Sequence, residues 1–296
     1  MAAVCRRLDG LPLAIELAAA RAAVLGIDVL AAHLDDHFRL LTGGFRTALP
    51  RHQTLQAMYD WSYRLLGDSE RLLLRWLGVF RDSFSIDAVR DIVGTKGLTD
   101  AELLDAIGSL VAKSLLGLDG AHDAPRYRLL TTTRAYALQQ LENNGECAAA
   151  ALAHANYFLA LFRRVPGSGD GSDGTRAESR LDTVRRELGN LRAALDWAFS
   201  PGGNAEVGIA LAAVAVPCLF DLALVDECRE RARVALDAMR QMTDTRALAD
   251  ARVRLLAAYA AALAHTAGPT QVAHDAWSEV HALGFEAGQA EPPREP

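Results

Sequence analysis

Read as alternating apolar and polar positions, the chain is helical almost throughout. Residues 12–25 carry Leu13, Leu17 and Val24 at near-helical spacing and close on Gly26. Asp28 can cap a following helix with Val29, Leu30, His33, Leu34 and Phe38 near one face, and Gly43, Gly44 and Pro50 break the pattern. Leu55, Met58, Tyr59, Ser62, Leu65 and Leu66 outline the next helix. Asp68-Ser69-Glu70 start another, whose buried stripe is predicted to be Leu72, Leu73, Trp76, Leu77 and Phe80. Phe84-Ser85-Ile86 reads as a short extended piece and 87–93 as a brief helix. Thr99-Asp100-Ala101-Glu102 fits a capping box, in which hydroxyl and carboxylate satisfy two unpaired N–H groups reciprocally, ahead of Leu103, Leu104, Ile107, Leu110 and Val111. Two apolar runs, 114–118 and 127–130, flank a polar turn and predict a β-hairpin; a helix over about 132–141 follows. Helices, a hairpin and one more helix make a winged helix.

Beyond it, 148–165 reads as a helix with Tyr157, Phe158, Leu161 and Phe162. The run Pro166-Gly167-Ser168-Gly169-Asp170-Gly171-Ser172-Asp173-Gly174 has too little apolar area to order itself, and a flexible linker is expected over about 166–178. Helices are then predicted at roughly 181–199, 205–223, 226–241, 246–266 and 271–285. Cys228, Ala232 and Ala235 recur in spacing as Ala273, Trp277 and Val280, small or apolar positions at which helices of a tetratricopeptide-like solenoid approach closely. The offset exceeds the usual repeat of about 34 residues, and two units are clear where three or more normally make a stable stack. The Pro-rich ending, 290–296, reads as a disordered tail.

Composition agrees with a mainly α chain: 51% of the 296 residues are hydrophobic, largely Ala and Leu, and only 6% are aromatic. A formal charge of −6 gives no whole-chain attraction to nucleic acid or to an anionic membrane. Residues 51–142 hold 11 Lys/Arg against 12 Asp/Glu, and the helix that would enter a DNA groove, near 101–113, sets Glu102 and Asp105 against Lys113 alone. A packing role is therefore favoured over DNA binding. Cys5, Cys147, Cys218 and Cys228 are scattered without C-x-x-C spacing and read as reduced thiols packed as small hydrophobes, which fits a cytoplasmic location. Arg6 and Arg7 precede an apolar run, but Glu16 and Arg21 interrupt it, so it is not read as a signal peptide, and no 18-residue span reads as transmembrane.

Candidate chemistry is sparse. No Gly-x-x-x-x-Gly-Lys-Ser/Thr occurs, nor an acidic strand end to hold Mg²⁺, so the chain alone is not expected to be an enzyme or to bind a cofactor. His33 and His37 flank Asp35 and Asp36 and read as surface histidines rather than a metal site. Ser62, Ser69 and Ser114 have no neighbouring base that would make a nucleophile.

Gly10-Leu11-Pro12-Leu13, followed by an Ala/Leu-rich helix, resembles the helical-bundle motif of bacterial STAND/NB-ARC-type signal-transduction ATPases. Gly10 ends one helix and Pro12 begins the next. Pro50-Arg51-His52-Gln53-Thr54-Leu55, Asp60-Trp61-Ser62-Tyr63, Leu110-Val111-Ala112-Lys113-Ser114-Leu115 and Tyr127-Arg128-Leu129-Leu130 are similar to the same family, from about Cys5 to Trp197. The resemblance implies three parts. They are the last helices of a nucleotide-binding module (1–46), a winged helix (47–147) and a tetratricopeptide-like helical region (148–289). It also implies that Gly10, Leu11, Pro12 and Leu13 form an adenine-side wall, although the same residues suffice simply to shape a helix junction.

ADP or ATP would belong to the intact parent protein. By the same resemblance, the winged helix would clamp a nucleotide module expected upstream, an inducer or protein partner on the helical region would release the clamp, and the subunits would oligomerise to regulate transcription. DNA would be read by a domain outside this chain. Leu129-Leu130-Thr131 fall where relatives place a phosphate-sensing Met-His-Asp, and leucine cannot donate to a phosphate. Arg134, one turn on, could substitute, but a solvated helix-face arginine is the plainer reading. The alternatives are a stand-alone helical-repeat adaptor for a protein partner and, behind it, a winged-helix DNA binder.

Overall fold

The computed structural model describes residues 26, 59–60, 62–119, 125–164, 174–242, 248–268 and 270–286. Among the described residues the fold is mainly α with one small sheet, and the chain divides into two units, Met1–Ala150 and Ala151–Pro296.

In the first unit, α1 (Asp68–Leu77) starts where Gly67 is extended and its N–H donates to the Glu70 carboxylate at 2.8 Å. Asp68 and Glu70 in the first turn and Arg75 in the last complement the helix dipole. Its buried residues are Leu73, Leu74, Trp76 and Leu77; Leu74 replaces the predicted Leu72, which is only half-buried. Strand β1 (Phe84–Ser85) runs straight into α2 (Ile86–Val93), whose Ala88 N–H donates to the Ser85 hydroxyl at 3.2 Å. A 3-10 turn over Gly94–Lys96 leads to α3 (Asp100–Ala112). The capping box predicted there is present: Glu102 N–H donates to Thr99 Oγ1 at 3.3 Å and Thr99 N–H to Glu102 Oε2 at 2.8 Å.

Strands β2 (Gly117–Asp119) and β3 (Arg126–Arg128) form the wing. The sheet order is β1-β3-β2, antiparallel throughout, with Phe84 and Leu118 both opposite Tyr127. The hairpin begins three residues later than predicted, because Ser114 is not extended: at φ +56° it occupies the left-handed position that closes α3. Helix α4 (Thr131–Asn143) packs against α1, as does α3. Helical residues 59–60 and 62–64 are tied to α4 through aromatic groups. Tyr59 stacks on Tyr136 at 5.2 Å and shares its hydroxyl with Thr132 and Thr133, while the Tyr136 hydroxyl donates to Asp60 at 2.9 Å.

Helix α5 (Cys147–Arg164) begins in the first unit and continues past Ala150. The remaining helices are α6 (Gly174–Ala198), α7 (Ala205–Asp221), α8 (Val225–Arg240), α9 (Ala249–Ala267) and α10 (Gln271–Glu286). From α6 on, each packs on the next, and α7 also packs on α9. Residues 174–178, expected to lie in a flexible linker, are helical: α6 starts at Gly174, since residues 175–180 hold helix-forming Ala, Glu and Arg and no further Gly or Pro, and the rest of the expected linker lies outside the described residues. Cys228, Ala232, Ala235, Ala273, Trp277 and Val280 are all buried, as their shared spacing requires. Asn204 caps α7 by accepting from Val207 N–H at 3.1 Å. Pro217 lies inside that helix, where it supplies no N–H.

Candidate functional site

Two places in the first unit are candidates for function: the exposed face of α3 with its wing, and the joint between α4 and α5. The side of α3 turned to solvent carries Ala101, Glu102, Leu104, Asp105, Gly108 and Ala112, and Leu104 is 47% exposed. The Glu102 carboxyl is held below the usual carboxylate range, chiefly by the Thr99 backbone N–H and then by the Thr99 hydroxyl. Asp100 pairs with Arg90 at 3.0 Å. Lys113 at the far end donates to both Glu70 oxygens, at 2.7 and 2.8 Å. Burial works against the Glu70 charge, yet the Lys113 and Ser109 hydrogen bonds bring its pKa below normal.

In the wing, Arg126 is buried, donating to the Ser83 hydroxyl at 3.0 Å and the Ser83 carbonyl at 2.7 Å. Arg128 and Leu118 are exposed. A helix in the groove-reading position contacts base edges through its N-terminal residues. Here those residues present Asp100, Glu102 and Asp105, which repel phosphate rather than neutralise it.

At the α4–α5 joint, Glu146 accepts from Arg75 Nε at 2.5 Å, Arg75 Nη2 at 3.2 Å and Trp76 Nε1 at 3.0 Å. The Lys96 ammonium lies 4.5 Å from the Trp76 ring centroid. The Arg75 hydrogen bond, against some opposing burial, keeps the Glu146 carboxyl below the usual range, and the same bond raises the Arg75 guanidinium. Beside the joint is an open cleft of about 550 Å³ lined by Tyr63, Ser69, Arg71, Leu72, Arg75 and Asn144, among others.

Of the residues singled out by sequence, Gly10, Leu11, Pro12 and Leu13 lie outside the described residues, as do Cys5, His33 and His37. Leu129 and Leu130 precede α4, and Thr131 opens it. Arg134 is not a solvated helix-face arginine. It is half-buried and its Nε donates to the Phe80 carbonyl at 2.6 Å, a pairing across 54 residues that no local pattern reveals. Cys147 is exposed rather than packed; Cys218 and Cys228 are buried, and burial pushes the Cys228 thiol up to about 12. Among the described residues, no group of three or more His, Cys, Asp or Glu is placed to hold a metal ion, and no helix is long and apolar enough to cross a membrane.

The order helix, strand, helix, helix and two-stranded wing defines a winged helix-turn-helix, and residues 66–142 match the family described as a winged helix-turn-helix domain. A Mycobacterium tuberculosis (strain H37Rv) protein, provisionally named an HTH-type transcriptional regulator, is 42% identical over 224 residues, covering 76% of this chain and 25% of that protein. A Mycobacterium bovis protein of the same provisional name gives the same figures. An uncharacterized Mycobacterium bovis protein is 38% identical over 169 residues, 57% of this chain and 43% of its own length. The chain thus spans a quarter of the length of the two regulators and less than half of the third relative. No solved structure gives a significant match.

Proposed function

We propose that this chain is the regulatory part of a bacterial transcriptional regulator related to the STAND/NB-ARC-type ATPases. The winged helix works as a protein-packing element, and the helical region from α6 to α10, a tetratricopeptide-like array, receives the inducer or partner. The observation that carries this reading is the solvent face of α3, which sets carboxylates and Leu104 where a DNA reader needs cations. The provisional name of the mycobacterial relatives supports a role in transcription, with DNA contacted by another part of the full-length protein. ADP or ATP belongs to a nucleotide module supplied elsewhere, and release of the winged helix from that module permits oligomerisation. The chain itself performs no catalysis and works in the cytoplasm.

Two titrations of the intact chain test the proposal. Mixed-sequence duplex at 50 mM salt should not be shifted at about 10 μM protein, a concentration within the usual range of non-specific DNA affinity. Retention that weakens linearly in log salt would restore the DNA-binding reading. Adding a nucleotide-binding module from a relative should tighten its grip on fluorescent ADP. Unchanged affinity would favour a stand-alone adaptor that binds its partner through the helical array.

A further inference from the structure

The turn between α4 and α5 is built by three residues. Asn144 and Gly145, the latter at φ +68°, end α4 in a left-handed cap: Gly145 N–H donates to the Glu142 carbonyl at 2.9 Å and Glu146 N–H to the Leu141 carbonyl at 3.1 Å. The Glu146 carbonyl then accepts the first intrahelical bond of α5, from Ala150 N–H at 3.0 Å. One residue therefore closes one helix and opens the next with its backbone. Its side chain does something else, reaching back across 71 residues to take two N–H groups of Arg75 and, from the neighbouring position, the indole N–H of Trp76.

The two donors on α1 are anchored independently of Glu146. Trp76 is 1% exposed in the core of the winged helix, and Leu73, Leu74 and Leu77 around it are equally buried. The start of α5 is different. Glu146 is half-buried, and Cys147, Ala148 and Ala149 are exposed, so the first turn has little apolar burial of its own until Ala150. The well-packed α1 and the exposed first turn of α5 are thus joined by a single carboxylate in bidentate, charge-assisted contact, the strongest ordinary form of such a bond. The glycine beside it permits a backbone rotation that other residues resist.

We propose that Glu146 is a conformational latch. With its carboxylate on Arg75 and Trp76, the first turn of α5 is held against α1. With that contact broken, the joint at Gly145 opens while the packing of α1 with α3 and α4 persists. The device is local, because every residue in it belongs to the first unit. It gives the first turn of α5 two states without unfolding the winged helix, in keeping with the low opening energies of segments that have few buried contacts.

Native-state hydrogen exchange on the intact chain tests this in Glu146→Ala and in the milder Glu146→Gln, which retains an acceptor for the indole but carries no charge. In both, the amides of Gly145, Glu146 and Ala150 should exchange at least about tenfold faster, corresponding to ~1.4 kcal/mol of local opening. Those of Leu73, Leu74, Leu77 and Leu110 should change less than about twofold. Arg75→Lys, which keeps the charge and loses the fork, should accelerate the same three amides. Equal acceleration at the core amides would make Glu146 an ordinary stability contributor and overturn the proposal. So would unchanged exchange at the joint in Glu146→Gln, the variant expected to fold if Glu146→Ala does not.

Discussion

Replacing glycine by alanine at two positions of the winged helix should move its stability in opposite directions. Gly78 ends α1 at φ −57°, ψ −24°, a conformation any residue adopts, so only space decides the outcome. A Cβ built there lies 3.0 Å from Leu138 N, 3.1 Å from Arg75 O and 3.2 Å from Ala137 C, all backbone atoms that no rotamer change can remove. Helices α1 and α4 would have to separate by a few tenths of an ångström. Overpacking of this kind costs roughly 1–3 kcal/mol, of which the conformational gain from losing a glycine offsets roughly 0.5–1 kcal/mol. Gly108 sits in the middle of α3 on its exposed side with nothing within 4 Å of the added carbon, so only the gain of roughly 0.5–1 kcal/mol applies. Hydrogen exchange at Leu73, Leu74 and Leu110 reads both: about 5- to 30-fold faster in Gly78→Ala for a net loss of ~1–2 kcal/mol, about 2- to 5-fold slower in Gly108→Ala. Wild-type protection in Gly78→Ala would show that α1 and α4 are not held as tightly as the backbone distances state.

Ser114 and Ala223 sit at φ +56° and +58°, where a Cβ is penalised by roughly 1–2 kcal/mol. Ser114→Gly and Ala223→Gly should each raise stability by about 0.5–1 kcal/mol after the entropic cost of glycine, measured by denaturant midpoint. Leu110 is fully buried against α1, so Leu110→Ala should cost about 2–5 kcal/mol in the same measurement. Acid should open the α4–α5 joint through Glu146, whose folded pKa is depressed by Arg75, with Lys96 adding to the effect. A depressed carboxylate contributes fully above its unfolded value of about 4.3 and loses that contribution as pH falls through the lower folded one. Corrected for intrinsic exchange, protection of the Gly145 and Ala150 amides should fall below about pH 4.3 in the native chain and be flat with pH in Glu146→Gln; an equal fall in both would refute the assignment.

What the sequence made legible is what local chemistry encodes. Thr99 and Glu102 stand three apart and close a capping box, and the helices from α7 to α10 end within a few residues of their periodic runs. The hairpin's existence was visible in two apolar runs around a polar turn. Its start was not, because a serine in the left-handed position looks no different in sequence from one in a strand. The Glu146 contacts with Arg75 and Trp76, and the Arg134 bond to Phe80, join residues 54 to 71 apart and have no periodic signature. Leu72 and Leu74 flank Leu73 with identical chemistry, so only the fold decides which of them is buried. The family motif at Gly10-Leu11-Pro12-Leu13 could be read but lies outside the described residues.

Helices α6 to α10 pack on one another largely through small residues, so something else must fix their register. Small buried residues such as Cys228, Ala232 and Ala235 allow close approach but tolerate sliding, since one alanine is much like the next. A charge quartet supplies the missing specificity. Arg192 on α6 forks onto Glu227 of α8 at 2.8 and 2.5 Å, and Asp196, one turn on, accepts from Arg231, one turn on, at 2.5 Å. Both pairs ascend together, as they must when alternate helices of an up-and-down array run parallel. Sliding α8 by one turn, ~5.4 Å, would set either Arg192 against Arg231 or Asp196 against Glu227. Half-exposed ion pairs of this kind stabilise by only roughly 0–1 kcal/mol each. Their like-charged alternatives are penalised as well, so the quartet acts mainly by separating the correct register from its neighbours. Register between α6 and α8 therefore draws on four charged side chains as well as on the buried small residues.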